Sequence, residues 1–140
     1  MATTAKSNAD SLETVFKKLH RLLLAHIPPF KPGGDEQGMF RGKKDFHLVV
    51  PKAVVVPGAY GGKPTKLCMA SFVMQKGYVG FYFMPIYMNA TVQATLSPAL
   101  LKLLKGKTCF HVKKLDATLL ADIGAALTLG TKCYRERGWV

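Results

Sequence analysis

The chain has 140 residues, of which 49% are hydrophobic, 20% charged and 10% aromatic. This length and composition fit one domain over residues 1–140 and exclude general disorder, and no apolar run is long enough to span a membrane. Twenty Lys and Arg residues stand against eight Asp and Glu residues, so the net charge is +12 at pH 7. That surplus favours a polyanionic partner, nucleic acid or a phosphorylated ligand, although a strongly charged surface also serves solubility alone.

The cysteines and the N-terminal segment both indicate a cytoplasmic protein. Cys68, Cys109 and Cys133 are widely spaced and form no C-x-x-C pair, which argues against a disulfide framework. The N-terminal segment lacks the basic region and apolar block of a secretory signal. We therefore expect three structural thiols in a reducing compartment.

The N-terminal part predicts a helix, a long loop and two short strands. Residues 1–8 are small and polar and are expected to fray. A helix capped by Asp10 or Ser11 follows and ends near His26, before two prolines. Its apolar residues recur at steps of three and four: Leu12, Val15, Phe16, Leu19, Leu22 and Leu23. Beyond the helix we expect a loop over 27–44, strands over 46–50 and 52–56, and a turn over 59–64.

A hairpin is the strongest prediction in the middle of the chain. The apolar runs 66–75 and 78–84 are separated by two residues ending in glycine, the spacing of a tight turn. Alternation along the second run places Val79, Phe81 and Phe83 on one face. The other face carries the following residues: Tyr78, Gly80, Tyr82 and Met84. Because both faces are partly apolar, each needs cover or serves as a contact surface.

The C-terminal part predicts a short helix, a strand and a final helix. Ser97 caps the short helix, which ends at Gly106, and the strand covers 107–114 with Cys109 and His111 on one face. The last helix begins near Asp116 and is followed by a basic, aromatic tail over 132–140. The order of elements predicts an α+β fold: an antiparallel sheet packed with N-terminal, short central and C-terminal helices.

The sequence contains no recognisable catalytic motif. Its four histidines are dispersed, and only Asp35 and Glu36 among the carboxylates are adjacent. Cys109 and His111 share a strand face, but two residues along a strand separate them by roughly 7 Å, too far for direct proton transfer. We therefore expect no enzyme activity, no cofactor and no metal.

The best candidate binding site combines lysines with exposed aromatic residues. Five lysines fall within a short stretch: Lys102, Lys105, Lys107, Lys113 and Lys114. Beside Tyr78 and Tyr82 they would hold a polyanion by charge, with rings available for stacking. The simpler interpretation is a solvated face and helix-dipole stabilisation. A further alternative is a homodimer or assembly role, in which the face of Tyr78, Tyr82 and Met84 pairs with a second copy.

Two segments resemble a known family. These are YVGFYFMP at 78–85 and KGKTCFHVKKLD at 105–116, where a Gly-Lys-Thr-Cys-aromatic pattern at 106–110 is followed by Lys113, Lys114 and Leu115. Over residues 45–137 the chain resembles the YdhG-like bacterial domain family, which implies an antiparallel sheet with helices packed on it. One branch of that family is frataxin-like and linked to intracellular iron delivery through an acidic surface. The first helix here is instead basic, with Lys17, Lys18 and Arg21.

The sequence as a whole predicts a non-catalytic binding module for an anionic partner. Its alternatives are a homodimeric assembly protein and a frataxin-like iron-binding protein, the last by analogy alone.

Overall fold

The computed structural model describes residues 11–33 and 44–140. The predicted frayed segment 1–8 and most of the predicted loop 27–44 lie outside these described residues. The helices are α1 (Leu12–Leu24), α2 (Pro85–Met88), α3 (Ala90–Thr95), α4 (Pro98–Leu101) and α5 (Ala117–Glu136). The strands are β1 (Lys31–Gly33), β2 (Asp45–Val49), β3 (Cys68–Gln75), β4 (Tyr78–Phe83), β5 (Leu104–Lys105) and β6 (Cys109–Val112).

The six strands form one antiparallel sheet in the order β1-β2-β3-β4-β6-β5. The hairpin β3–β4 lies at its centre, and Gln75 pairs with Tyr78 across the predicted two-residue turn. Gly77 takes a φ of +86°, the left-handed conformation that such a turn needs. The α+β class and the antiparallel sheet are therefore as predicted from the sequence.

The helices begin at the residues whose side chains can cap them. Ser11 Oγ accepts the Thr14 N–H at 3.1 Å, and Asp116 Oδ1 accepts the Leu119 N–H at 2.7 Å. Ser97 does the same for α4, and its hydroxyl also donates to Asp122 Oδ2 of α5 at 2.8 Å. These caps satisfy backbone donors that a helix leaves unpaired.

The hydrophobic core lies between the sheet and the two long helices. α1 and α5 contact each other and both contact β3. The predicted apolar stripe of α1 faces the core, since Val15, Leu19 and Leu23 are fully buried. On the sheet side, Phe72, Phe81 and Phe110 lie in one row across three strands, also fully buried. One face of the sheet is thus covered by helices.

Two predictions for the first half of the chain are wrong in part. The predicted loop 27–44 contains β1, which pairs with β2 from Lys31 opposite Val49. The predicted strand 52–56 is reduced to a single bridge between Val54 and Thr65. The prolines that flank this run remove backbone donors, so it cannot extend a ladder.

Two predictions for the second half also need correction. The central helix ends at Leu101 rather than at Gly106, and Lys105 lies in β5. Gly106 (φ +81°) forms the turn between β5 and β6, because a glycine with positive φ serves a hairpin as readily as a helix end. The predicted tail is helical as far as Glu136, since Tyr134 belongs to the core. The short helices α2 and α3 were not predicted.

Candidate functional site

The face of the sheet away from the helices carries polar side chains. One row of paired residues crosses five strands, and its members are His47, Ser71, Tyr82, Cys109 and Lys105. Directly paired residues of antiparallel strands place their side chains on the same side of the sheet. Tyr78 and His111 lie on this side as well, because Tyr78 is four residues from Tyr82 and His111 is two residues from Cys109 along the same strand. We call this side the polar face.

Tyr78 and His111 form a stacked pair on the polar face. Their ring centroids are 3.8 Å apart and their planes differ by 12°. The two residues are diagonal neighbours, because His111 is directly opposite Gly80 in the register of β4 and β6. Both side chains are partly exposed. Strand alternation predicts which residues share a face within each strand, but the common face of Tyr78 and His111 and the stacking of their rings depend on the pairing of β4 with β6.

Two of the five predicted lysines act on the stacked pair. Burial, followed by the positive charges of Lys105 and Lys113, lowers the pKa of His111 below its usual value. Lys105 is opposite Cys109 in the sheet, and Lys113 is the first residue after β6, two positions from His111. The imidazole is therefore mainly neutral at pH 7, and an anion placed here meets two ammonium groups.

The other three predicted lysines surround this region without joining it. Lys102 is the C-cap of α4, Lys107 follows the glycine of the β5–β6 turn, and Lys114 follows Lys113. All of them are exposed. The structure thus divides the predicted cluster into two lysines that act on His111 and three exposed lysines that do not.

Tyr82 lies flat on the centre of the polar face. A Cβ at Gly80 would come within 2.8 Å of Tyr82 Cε1, so the absence of a side chain there makes room for the ring. Gln75 Nε2 donates to Tyr82 Oη at 3.3 Å. Burial and the neighbouring Cys109 raise the pKa of Tyr82 to about 12, and burial raises the pKa of the Cys109 thiol. Neither group is ionised at neutral pH, so neither is an activated nucleophile.

Met84 does not belong to the polar face, contrary to the sequence prediction. β4 ends at Phe83, and Met84 is the residue that precedes α2. Its side chain lines a cavity with Tyr60, Tyr87 and Arg137. The alternation that groups Met84 with Tyr82 holds only while the strand continues.

Sequence reasoning missed a buried hydrogen-bond network at the far end of the polar row. His47 Nδ1 is 2.5 Å from Ser71 Oγ, and His47 Nε2 is 3.0 Å from Asp45 Oδ2. Ser71 Oγ is also 2.9 Å from Cys68 Sγ. Asp45 and His47 are two residues apart, so strand alternation in the sequence places their side chains on the same face. The contact with Ser71 requires the register of β2 and β3, which the sequence does not contain.

This network has the residue types of a Ser–His–Asp triad, yet its setting is structural. Ser71 is 3% exposed and His47 is 4% exposed, so a substrate cannot reach the hydroxyl without displacing covering groups. Burial raises the pKa of Cys68 to about 11, which keeps the thiol protonated. The hydrogen bonds that join His47 Nδ1, Ser71 Oγ and Cys68 Sγ therefore satisfy polar atoms that the fold buries.

Two further features bear on the predicted metal and membrane behaviour. Within residues 11–33 and 44–140, no three His, Cys, Asp or Glu side chains converge as metal ligands would. Over the same residues, no helix has the length and apolar character needed to cross a bilayer.

Comparison with known proteins adds no relative. No protein-family model, no curated protein and no solved structure matches the chain. Membership of the YdhG-like family accordingly stays a prediction from the two sequence segments.

Proposed function

We propose that this protein binds single-stranded nucleic acid through the polar face of its sheet. The observation that supports the proposal is the stacked pair Tyr78–His111, flanked by Lys105 and Lys113. Rings and ammonium groups on one sheet surface are the combination that sequence-tolerant single-strand binders use.

The rings favour unpaired bases over a double helix. Two parallel rings at 3.8 Å already have the spacing of stacked bases, and a base can extend the stack on its solvent side. In a duplex the faces of the bases are occupied by their neighbours. A single strand exposes them, and each stacked base contributes about 1–3 kcal/mol.

The lysines supply attraction for the phosphates. After burial, the charges of Lys105 and Lys113 lower the pKa of the His111 imidazole, and the same charges would attract a phosphate at the ring pair. Lys102, Lys107 and Lys114 are exposed on the adjoining surface and extend the positive field along a strand. A net charge of +12 on 140 residues adds long-range attraction for a polyanion.

The test is fluorescence anisotropy of a short labelled oligothymidylate across a salt series. Binding is expected to weaken linearly on a log–log plot, with a slope of about −0.7 for each phosphate contact of a single strand. The double variant Lys105→Gln/Lys113→Gln is expected to flatten that slope by about 1.4. No binding at low salt overturns the proposal.

Matched variants separate stacking and local charge from net charge. Tyr78→Phe keeps the ring and is expected to bind as the unmodified protein does, whereas Tyr78→Ala loses about 1–3 kcal/mol of binding free energy. Lys17→Gln/Lys132→Gln removes two exposed charges from the helices on the other side of the sheet. If this control flattens the slope as much as the Lys105/Lys113 pair, the polar face is not the site.

The remaining functional predictions stay open beside this one. A homodimer through the polar face would appear as a sedimentation coefficient that rises with concentration, and Met84 would not contribute to it. Ferrous iron binding, expected only by family analogy, is tested by anaerobic calorimetry. A cytoplasmic location is likewise a prediction from the cysteines.

A further inference from the structure

A second candidate site lies on the segment 50–67, which connects β2 to β3 and which we call the arm. Backbone hydrogen bonds hold the arm in shape, since Val54 and Thr65 exchange two of them, 2.8 and 2.9 Å long. Val56 and Leu67 anchor it, because both belong to the buried core. The arm is therefore a structured part of the surface.

Most of the exposed large apolar side chains lie on the arm or share a cavity with it. Four such side chains are exposed among the described residues, and three of them are Val55 (51%), Tyr60 (45%) and Tyr87 (58%). Tyr60 and Tyr87 line one cavity of about 460 Å³, together with the aliphatic side chains of Val56 and Met84. A cluster of exposed apolar groups around a cavity indicates a site of contact with a partner.

Tyr60 occupies the tip of the arm in an unfavourable backbone conformation. Its φ is +53°, and no other non-glycine residue among those described has a positive φ. Lys63 N–H donates to Tyr60 O at 3.1 Å and closes the turn. Because nearly half of the side chain is exposed, packing in the core does not explain a tyrosine at a position suited to glycine. Strain of this kind concentrates at binding sites.

The charged residues of the arm are all positive. They are Lys52, Lys63 and Lys66, each of them exposed, and the arm contains no Asp or Glu. No ion pair or side-chain hydrogen bond of the described residues involves these three ammonium groups. The helix α2, which carries Tyr87, has no charged residue. The positive charge of the arm is therefore not neutralised locally, and it attracts carboxylates.

These lysines lie towards both ends of the arm. Lys52 and Lys66 are on the base side of the bridge at Thr65, whereas Lys63 is on the tip side, close to Tyr60. An extended partner is needed to reach charges at the base and at the tip together.

We propose that the arm and α2 bind an acidic segment of another protein, in which Asp and Glu residues flank an apolar anchor. The anchor enters the cavity lined by Tyr60, Met84 and Tyr87, and the flanking carboxylates pair with the lysines of the arm. A buried apolar anchor inside a charged rim is the usual arrangement of protein–protein recognition.

The lining of the cavity favours a peptide side chain over a nucleobase. Val56 and Met84 present aliphatic groups, against which an apolar side chain leaves nothing unpaired. A base would leave the donors and acceptors of its edge without partners there. The site shares no residue with the polar face, so this inference stands or fails independently of nucleic-acid binding.

The test is fluorescence anisotropy at low salt with a labelled peptide in which Asp and Glu residues flank a central Phe. One control peptide has Ser in place of Phe, and a second has Asn and Gln in place of Asp and Glu. Each control lacks half of the proposed chemistry and is expected to bind about 10-fold or more weakly than the acidic Phe peptide. Equal affinity of either control, or no binding of the acidic Phe peptide at millimolar concentration, overturns the proposal.

Two triple variants of equal charge locate the peptide. The first removes the lysines of the arm: Lys52→Gln, Lys63→Gln and Lys66→Gln. The control removes three exposed lysines outside the arm: Lys17→Gln, Lys76→Gln and Lys114→Gln. The arm variant is expected to weaken binding of the acidic Phe peptide about 10-fold or more, and the control variant by less than about 2-fold. If both weaken binding equally, the effect is one of net charge and the site is wrongly assigned.

The same arm variant decides between a protein partner and a nucleic acid. It is expected to keep its affinity for oligothymidylate within about 2-fold, because the polar face is unchanged. If its affinity for oligothymidylate falls as far as its affinity for the peptide, the arm belongs to a nucleic-acid surface and the proposal is overturned.

Tyr60→Gly separates binding from folding. Glycine accepts the positive φ at this position, so the variant is expected to unfold within a few degrees of the unmodified protein. Loss of the ring is expected to weaken binding of the acidic Phe peptide about 5-fold or more, as Tyr87→Ala would. Unchanged affinity in both tyrosine variants contradicts the proposed role of the cavity.

Discussion

Gly124 and Gly130 lie on the same helix, α5, and the structure predicts opposite effects when each is replaced by alanine. By helix propensity alone, both replacements would stabilise the protein by about 0.8–1.0 kcal/mol. Their surroundings differ. A Cβ at Gly124 meets only Leu22 Cδ2 at 3.8 Å, which is ordinary van der Waals contact. Gly124→Ala is therefore expected to raise the free energy of unfolding by about 0.5–1 kcal/mol.

A Cβ at Gly130 would collide with three neighbours. It would come within 2.8 Å of Met69 Sδ, 2.9 Å of Phe83 Cε1 and 3.0 Å of Pro85 Cγ. Met69 and Phe83 are fully buried and the proline ring is rigid, so the methyl group has no direction in which to be relieved. Overpacking of this kind costs about 1–3 kcal/mol. After the gain in propensity, Gly130→Ala is expected to lower the free energy of unfolding by up to about 2 kcal/mol.

Urea unfolding followed by circular dichroism measures both effects, and each kcal/mol corresponds to a shift of about 2–4 °C in the unfolding temperature. Stabilisation by both replacements would refute the argument, because propensity would then outweigh packing at Gly130.

Three further predictions concern buried and titrating groups. Ser71→Ala removes the hydroxyl that bonds the Nδ1 of buried His47, and should lower the free energy of unfolding by about 1–3 kcal/mol in a urea titration. A change below about 0.5 kcal/mol would contradict a stabilising role for this hydrogen bond. Burial lowers the pKa of His26, so the unfolded state takes up the proton first and stability should fall as the pH drops below 6.5. His26→Gln should reduce this pH dependence of stability. An unaltered pH dependence in the variant would exclude the effect. Burial, followed by the charges of Lys105 and Lys113, lowers the pKa of His111, so a bound phosphate should raise that pKa in an NMR titration and oligonucleotide affinity should increase as the pH falls from 8 to 5.5. Affinity independent of pH would argue against binding at this ring.

Local patterns were enough to predict the elements that the sequence itself defines. The cap Ser97 was predicted, the first cap was narrowed to Asp10 or Ser11, and the last helix was predicted to start near Asp116 or Ala117. These predictions succeed because hydroxyl and carboxylate groups before apolar periodicity accept the unpaired helical N–H groups. The β3–β4 hairpin followed from its two-residue turn. Elements defined by distant partners were missed. β1 forms because Lys31 pairs with Val49, and β5 forms because the chain turns back at Gly106 and pairs with β6.

The candidate sites divide in the same way. Strand alternation in the sequence already places Tyr78 and Tyr82 on one face and Cys109 and His111 on one face, because side chains alternate strictly along a strand. It could not pair those two faces, since pairing depends on the neighbour and register of β6. Met84 was misplaced for the related reason that alternation does not reveal where a strand ends.

The sequence by itself determined the α+β class, the positive charge and the apolar faces of the long helices, because propensity, charge and periodicity are local properties. Only the tertiary structure decided which side chains meet. It stacks Tyr78 on His111, brings Ser71 to His47 and encloses a cavity between Tyr60 and Arg137. These contacts join residues that are far apart in the chain, and their geometry is set by strand register and helix packing, which no local pattern encodes.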